Sequence, residues 1–242
     1  MSRTAERTFD LLERVARSEA PLGLMELASE TEIDKSTAAR LLGFLEQRSL
    51  VARGPETRKY TVGMRLISIS TLALRQLDLP RLAHPELVAL RDETAETTNL
   101  HIRVGDEALC LTGVESEQVV RRVLPLGEHR ALSAGPAAKA ILAFLPEREA
   151  AEIAARVPAG AQRRRLLDQL RAIREDGYIA VVGDRTPGVG AISVPVFGQS
   201  GVEASITVAG PAERWALDAM RAAVPRVLDA AKRLSQSLGG VA

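Results

Sequence analysis

Residues 34–47 read DKSTAARLLGFLEQ, and this stretch decides the fold of the N-terminal part of the chain. Its apolar side chains recur at the spacing of one helical face and comprise Ala38, Leu41, Leu42 and Leu45. The opposite face carries small, polar and basic residues, namely Ser36, Arg40, Gly43 and Gln47. Asp34 stands just before the first turn, where a carboxylate can accept hydrogen bonds from unpaired backbone amides. The segment therefore predicts an amphipathic helix that begins after Asp34.

The segments on either side complete a recognisable pattern. The spacing of apolar residues predicts a first helix over 5–17 and a short second helix around 25–28. Two short runs at 50–53 and 58–62 flank a Gly-Pro turn and predict a hairpin. A helix with one packing face and one small, polar, basic face is typical of a DNA recognition helix, and the basic hairpin after it is typical of a wing.

This interpretation names candidate DNA contacts. Ser36, Thr37 and Arg40 are expected to meet base edges in the major groove, because the first turns of a recognition helix enter it. Lys35 is expected to contact a phosphate. The hairpin adds candidates for contact with the phosphate backbone, which are Arg53, Arg58 and Lys59. A solvated surface with no DNA contact is the alternative for each of these residues.

The charge of the chain does not by itself indicate DNA binding. The formal net charge is +1, and residues 1–63 contain ten basic and ten acidic side chains. Affinity for DNA must therefore come from the segregation of charge within the domain and from dimeric binding, which doubles the number of phosphate contacts.

The pattern changes after the hairpin. Residues 64–79 predict a helix that ends at Pro80 and has a broad apolar face, which should pack on another element such as a second protomer. Alternating apolar residues then predict strands near 100–104, 107–114, 118–124, 178–183, 191–197 and 202–209. Helices are predicted over 83–95, 136–145, 147–156, 161–176 and 212–237. Strands joined by hairpins, with helices outside them, predict an α+β domain with a mostly antiparallel sheet.

Several classes of protein are disfavoured by what the sequence contains. Cys110 is the single cysteine and the three histidines are scattered, so we expect no metal site and no cofactor, and a reducing compartment. No apolar stretch approaches the roughly 18 residues of a membrane span, and the N-terminus lacks the apolar segment of a signal peptide. A cytoplasmic protein without membrane contact is expected.

No nucleophile and base, or paired carboxylates, stand at suggestive spacing, so we expect no catalytic residues and no enzyme.

Several short motifs, taken in their order and spacing, resemble the IclR family of bacterial regulators over almost the whole chain. The N-terminal motifs are STAARLL at 36–42, LV at 50–51 and YTVG at 60–63. The C-terminal motifs are GPAAKAILAFLP at 135–146, IREDGY at 173–178, PGV at 187–189, AISVPVF at 191–197 and VAGP at 208–211.

The resemblance implies three parts. These are a winged helix-turn-helix domain at 1–63, with its helix-turn-helix motif at about 25–46, a linker helix at 64–80, and a GAF-like effector-binding domain at 81–242. It also implies homodimers that can pair into tetramers and act as repressors or activators, with double-stranded operator DNA and a small-molecule effector as partners.

The resemblance also places the effector pocket, and here the sequence departs from the family. Some relatives hold small oxo-acids with a Gly-Ala backbone turn, an Asp, a Cys and two Ser. Local alignment carries those positions onto Pro136, Ala137, Val181, Ala191, Thr207 and Ala209, and further candidate walls are Leu124, Leu126, Leu132 and Ile192. Pro136 has no backbone amide to donate. The pocket is therefore expected to be mainly apolar and to suit an aromatic or aliphatic ligand better than glyoxylate or pyruvate.

Two other functions stay open. The second domain could have a filled core without a ligand, and could then only form oligomers or bind a partner protein. An enzyme built on a GAF-like domain, with a DNA-targeting module, is the third hypothesis. A metabolite panel in a thermal-shift assay separates the first two, because a ligand that binds only the folded state raises the melting temperature.

Overall fold

The computed structural model describes residues 2–123 and 126–240. The chain divides into two compact units, one up to Leu77 and the other from Asp78 onward. No helix among the described residues is both long enough and apolar enough to cross a membrane.

The first unit is a small helical domain with a two-stranded wing. Its elements are α1 (Arg3–Ala16), α2 (Leu24–Glu30), α3 (Lys35–Gln47), β1 (Val51–Arg53), β2 (Tyr60–Val62) and α4 (Met64–Arg75). The wing strands are antiparallel, with Val51 opposite Val62. Leu11, Leu27 and Leu42 are fully buried between the first three helices. The predicted winged helix-turn-helix is confirmed.

The helix after the wing is shorter than the sequence predicted. It ends at Arg75, and a new helix, α5 (Asp78–Thr94), begins three residues later. Pro80 lies in the first turn of α5, where a backbone amide would have no helical partner, so the proline costs no hydrogen bond there. Pro80 therefore belongs to the start of the next helix and does not terminate the first one.

The second unit is built on a six-stranded sheet. After α5 its elements are β3 (Thr97–Val104), β4 (Glu107–Val114), β5 (His129–Ala131), α6 (Pro136–Leu142), α7 (Glu147–Ala155), α8 (Ala161–Asp176), β6 (Ile179–Val182), β7 (Val189–Gly198), β8 (Gly201–Pro211) and α9 (Leu217–Ser237). The strand order is β5-β4-β3-β8-β7-β6, and neighbouring strands pair antiparallel. The predicted α+β class with an antiparallel sheet is confirmed.

The two faces of this sheet differ in chemistry because successive side chains point to opposite sides. One face packs on α5 and α9 through aliphatic side chains such as Leu100, Ile192 and Ile206. The other face lies under α6, where the Ser205 hydroxyl donates to the Ala137 carbonyl at 3.0 Å. Polar residues occupy the centre of this second face, and they are Asn99, His101, Ser193, Ser205 and Thr207. This face forms the floor of the candidate effector pocket.

The predicted strand at 118–124 is wrong for the described residues 118–123. Val119 and Val120 give a β-like pattern, but they are 94% and 67% exposed and have no sheet partner. The backbone here is held by side chains instead. The Arg214 guanidinium donates to the Val120 carbonyl at 2.7 Å, and the Thr97 hydroxyl donates to the Arg122 carbonyl at 2.5 Å.

The last helix also begins later than predicted, at Leu217 instead of about 212. The strand before it runs to Pro211, and a turn follows in which the Trp215 indole N–H donates to the Val208 carbonyl at 3.3 Å. The buried ring holds this turn against β8, so the helix starts only after it.

Candidate DNA interface and effector pocket

The N-terminus of α3 is fixed by its cap. The Asp34 carboxylate accepts a hydrogen bond from the Thr37 amide at 2.9 Å and another from the Ser36 hydroxyl at 2.7 Å. The hydrogen bond from Ser36, followed by that from the Thr37 amide, holds the pKa of Asp34 well below its usual range. Asp34 therefore stays ionised and holds the first turn of α3 in one geometry.

The candidate contacts on α3 are placed as the helix periodicity predicts. Lys35, Ser36 and Arg40 are exposed, and Thr37 is half-buried. Gly43 lies on the same helix, and a Cβ atom built there would meet nothing within 4 Å. The fold of this unit therefore does not require glycine at position 43.

The wing uses its three basic residues in two ways. Arg53 braces the hairpin, because its Nε donates to the Arg58 carbonyl at 3.1 Å and its guanidinium lies 5.2 Å from the centre of the Tyr60 ring. Arg58, at φ 56°, and Lys59 are exposed at the tip. These two side chains are free to reach a phosphate, whereas Arg53 is partly committed to the hairpin.

Charge is segregated within this unit. Residues 33–63 contain six basic and three acidic side chains, whereas residues 2–32 contain four basic and seven acidic ones. In the described part of the chain none of the six forms an ion pair, and they are Lys35, Arg40, Arg48, Arg53, Arg58 and Lys59. By contrast, Arg14 on α1 pairs with Glu30, and Arg17, the C-cap residue of α1, pairs with Glu13. The positive charge of α3 and the wing is thus available to an external anion.

The candidate effector pocket is a cavity of about 60 Å³ between the polar sheet face and the N-terminus of α6. Its lining residues come from six places in the chain and are Asn99, His101, Arg122, Pro136, Ala137, Val181, Asp184, Arg185, Thr186, Val189, Ala191, Thr207 and Ala209. A volume of this size admits about four to six water-sized groups, and so a compact molecule.

The structure brings together six of the ten predicted effector residues. Those that line the cavity are Pro136, Ala137, Val181, Ala191, Thr207 and Ala209. Leu132 lies instead in the core under α6 and α8, and Ile192 lies in the core on the opposite sheet face, against α5 and α9. Leu126 is 59% exposed and does not line the cavity. Leu124 lies outside the described residues.

Sequence reasoning missed the charged and polar residues of the pocket. Asn99 and His101 lie on β3, Arg122 lies in the segment before β5, and Asp184 and Arg185 lie between β6 and β7. Alternation along β3 marked the first two as one face of a strand, which could have identified them. The expectation of a mainly apolar pocket was therefore incomplete, because these residues make one end of it polar and charged.

The floor of the pocket contains buried polar atoms without partners. Asn99 and His101 are 3% and 7% exposed, and among the described residues Asn99 Oδ1 and His101 Nδ1 have no hydrogen-bond partner. Their neighbours are satisfied, since the Ser193 and Thr207 hydroxyls bond to each other at 2.7 Å. An unpaired buried polar atom costs about 1–3 kcal/mol, so these two are suited to a ligand or a bound water.

Cations dominate the mouth of the pocket. The Glu128 carboxylate accepts hydrogen bonds from both Arg130 and Arg185. Burial raises the pKa of Glu128, but the hydrogen bond and charge of Arg185 outweigh it, and the net pKa is lowered. Burial, and then the charge of Arg185, lowers the pKa of Arg122.

His101 adds no charge to the pocket at neutral pH. Burial, and next the positive charge of Arg185, lowers its pKa to about 4. It is therefore a neutral imidazole that can donate or accept a hydrogen bond. No group of three or more potential metal-binding side chains was found among the described residues.

Comparisons with known proteins agree with this two-part organisation. The profile of the IclR helix-turn-helix domain matches residues 4–55, and that of the bacterial transcriptional regulator IclR C-terminal domain matches residues 71–236. The HTH-type transcriptional regulator BhcR of Paracoccus denitrificans is 30% identical over 96% of this chain and 86% of its own length.

Solved structures share the fold. The crystal structure of the Thermotoga maritima IclR protein is 27% identical, covers 98% of both chains and has a TM-score of 0.74. An IclR homologue of Microbacterium hydrocarbonoxydans, crystallised with 4-hydroxybenzoate, is 20% identical, covers 98% of this chain and 99% of its own, and has a TM-score of 0.80. With a DNA-binding helix-turn-helix domain and an effector-binding C-terminal domain, the chain belongs to the IclR family of bacterial transcriptional regulators and is not an enzyme.

Proposed function

We propose that this regulator binds operator DNA with α3 and the wing, and that a small molecule bound in the pocket beside α6 changes its affinity for DNA. The observation that carries the first half is the set of six cations on residues 33–63 without an ion pair in the described chain. Each DNA phosphate neutralised by such a cation releases condensed counterions, which favours binding. The DNA phosphates are contacted by Lys35, Arg58 and Lys59. The base edges are contacted by Ser36, Thr37 and Arg40.

The DNA-bound form is a homodimer in this proposal, and two dimers can pair into a tetramer. α4 has no buried residue, and five of its large apolar side chains are between 48% and 73% exposed, namely Met64, Ile67, Ile69, Leu72 and Leu74. A stripe of this kind is costly to leave in water, and a second copy of the chain would cover it. Two α3 helices per dimer then read two half-sites about one helical turn of DNA apart.

The effector in this proposal is a small metabolite with a largely apolar body. Pro136, Val181, Val189, Ala191 and Ala209 supply the apolar lining that supports it. Binding favours one arrangement of the dimer and so changes the spacing between its two α3 helices. Operator half-sites then fit or do not fit, which makes ligand and DNA binding reciprocally coupled.

The experiment that tests DNA recognition is Arg40→Ala. Operator DNA is first selected from a random library with the wild-type protein. The variant should then bind it about tenfold to hundredfold more weakly, because a charge-assisted hydrogen bond to a base edge or phosphate is lost. Arg164→Ala is the matched control, since Arg164 is also exposed and without an ion pair in the described chain but lies on α8.

Two further measurements exclude misfolding and loss of the dimer as causes of weaker binding. Light scattering on the same samples should show dimers for both variants, and the melting temperature should not change. If Arg40→Ala binds the operator as tightly as Arg164→Ala does, α3 is not the recognition helix.

An alternative is a second domain that only forms oligomers or binds a partner protein. The small size of the cavity favours this alternative, because about 60 Å³ is well below the usual volume of a ligand pocket. A thermal-shift screen against a broad metabolite panel decides between the two, since only an effector-binding domain is stabilised by a member of the panel.

A further inference from the structure

The segment that follows β4, residues 115–123, lies outside the sheet and is held by side chains of other elements. Among the described residues, no backbone–backbone hydrogen bond involves residues 117–123. Val119, Val120 and Val123 are exposed, so burial of the segment's own apolar side chains does not fix it either. Its conformation therefore depends on the few groups that bind it from outside.

The far end of this segment lies at the edge of the effector cavity. Arg122 lines the cavity, and its carbonyl accepts a hydrogen bond from the buried Thr97 hydroxyl at 2.5 Å. Thr97 shares a sheet face with Asn99, because side chains two positions apart on a strand point to the same side. Thr97 also lies opposite Ala209, and Asn99 and Ala209 both line the cavity. The segment thus meets the sheet at the border of the pocket floor.

Arg214 joins this segment to the body of the second unit. Its Nε and one terminal nitrogen bind the two oxygens of the Glu96 carboxylate at 2.5 and 3.0 Å. The same terminal nitrogen donates to the Val120 carbonyl at 2.7 Å. The Glu96 side chain is only 2% exposed, so it is a fixed anchor for the guanidinium. The guanidinium in turn fixes the backbone at Val120.

The sheet leaves room for this anchor at Gly210. A Cβ atom built on Gly210 would lie 2.2 Å from Glu96 Oε2, which is far inside van der Waals contact. The backbone of Gly210 does not adopt a positive φ, so what this position requires is the absence of a side chain. Any larger residue at position 210 would displace the Glu96 carboxylate.

The remaining attachments of the segment are at its start. The Ser116 hydroxyl donates to the Ala95 carbonyl at 2.5 Å, and Arg91 pairs with Glu117 at 3.2 Å. Among the described residues, the hydrogen bonds that other elements donate to residues 118–123 come from Thr97 and Arg214. Loss of the Arg214 contact would therefore leave the part of the segment next to the cavity with a single tether.

We propose that residues 115–123 form a lid over the effector cavity, and that Arg214, anchored on Glu96, is the latch that holds the lid closed. When the contact between Arg214 and Val120 breaks, the lid moves off the pocket floor together with Arg122, and the cavity opens to solvent. Arg214 acts through the lid and is a positioning residue. The purpose of the lid rests on the proposed function, since it controls the entry of an effector.

Cys110 is a native probe of the state of the lid. It is the single cysteine, it is 1% exposed, and it lies opposite His101, which lines the cavity. Directly opposite residues of paired strands share a sheet face, so the thiol lies on the cavity side. Burial raises the pKa of Cys110 to about 12, and the reactive thiolate therefore forms only when this region opens. The rate of alkylation by N-ethylmaleimide, followed by the intact mass of the full-length protein, measures opening.

Two variants break the latch by different routes. The double variant Glu96→Gln/Arg214→Met removes it without leaving a buried unpaired charge, whereas Gly210→Ala keeps both charges and displaces the carboxylate. Both should raise the alkylation rate about tenfold or more, because hydrogen bonds to charged groups are lost. Amide hydrogen exchange should become faster in residues 117–123 and stay unchanged in β3 and β8.

Arg221→Met is the matched control. Arg221 also pairs with a carboxylate, that of Asp218 at 3.2 Å, but both residues are exposed at the start of α9. This variant should alkylate at the wild-type rate. Alkylation at several urea concentrations separates opening of the lid, which depends little on urea, from global unfolding, which depends on it steeply.

Each other outcome overturns a stated part of the inference. Wild-type rates in both variants, or a rise in only one of them, overturn the latch on Glu96. Faster exchange in residues 117–123 with unchanged alkylation of Cys110 overturns the lid, because the segment then does not cover the cavity. Faster exchange that extends equally to β3 and β8 shows a general loss of stability and overturns the latch. No readout uses an effector, so a metabolite panel in which nothing binds overturns only the effector half of the proposed function.

Discussion

Basic side chains differ between the two units of this protein in whether they form ion pairs. On α3 and the wing, six cations lack an ion pair in the described part of the chain. In the second unit most cations are paired, including the exposed Arg148 with Glu152, the half-buried Arg103 with Glu149 and the buried Lys139 with Asp184. Apart from Arg122, the remaining ones either donate to backbone carbonyls, as Arg163 does, or lie on helix surfaces.

The difference indicates where each unit meets a negatively charged partner. A cation that the fold pairs internally has a structural role, and its attraction for an outside anion is reduced. A cation that the fold positions but leaves unpaired keeps that attraction, whether for a DNA phosphate or for a carboxylate. Arg122 is the exception within the second unit, because its backbone is held in place, its side chain is half-buried, and it forms no ion pair with any residue that the structure describes.

The largest effect is expected when a buried ion pair of the second unit, Lys139–Asp184, is broken, and it is on the free energy of unfolding. Asp184→Asn leaves the Lys139 ammonium buried without a counter-charge, and removing one partner of a buried pair costs about 3–5 kcal/mol. Urea unfolding followed by the fluorescence of Trp215, which is the single tryptophan and lies in the second unit, measures it.

Asp218→Asn provides the control for this experiment. It is the same substitution in an ion pair with Arg221 whose side chains are 95% and 67% exposed, so it should change the free energy of unfolding by less than about 1 kcal/mol. If the two variants unfold alike, the internal pairing is not structural and the contrast between the units fails.

The sequence predicted one of these regions well and the other poorly, for a physical reason. α3 is a local structure, and the face of Leu41 and Leu45, the cap at Asp34 and the exposed Arg40 all lie within 12 residues of one another. Helix periodicity and capping therefore predicted each of them. The overall fold class followed in the same way, from alternation along β3 and β8.

The effector pocket is assembled from segments far apart in sequence. Pro136 and Thr207 could be placed by motif, but Arg122 and Arg185 come from irregular segments without periodicity. The segment of Arg122 also resembles a strand in composition, which produced the wrong strand at 118–124. Its conformation depends on Arg214, more than 90 residues away, so no local pattern could predict it.

An effect of intermediate size is expected when an unpaired cation of the wing is removed, and it is on the salt dependence of DNA binding. Lys59→Ala should weaken binding about equally on all sequences, and should reduce the slope of log affinity against log salt concentration by about one per protomer. Titrations of operator DNA followed by fluorescence anisotropy at several salt concentrations give this slope.

A paired arginine of the same unit serves for comparison. Arg17, the residue just after α1, pairs with Glu13 at 3.2 Å, so Arg17→Ala should leave the slope unchanged. A slope that falls equally in both variants would mean that the net charge of the unit, and not the unpaired wing, attracts DNA.

The smallest expected effect is at Gly43, which separates what the fold needs from what DNA needs. A Cβ atom at this position meets nothing within 4 Å, so Gly43→Ala should stabilise α3 by about 0.5–1 kcal/mol. Circular dichroism during thermal unfolding measures this gain. If this face of α3 lies against DNA, the added methyl group should nevertheless lower operator affinity, because it keeps the helix backbone away from the groove. A variant that is more stable and also binds the operator as tightly as the wild type would place Gly43 away from the DNA, and with it the part of α3 beyond its first two turns.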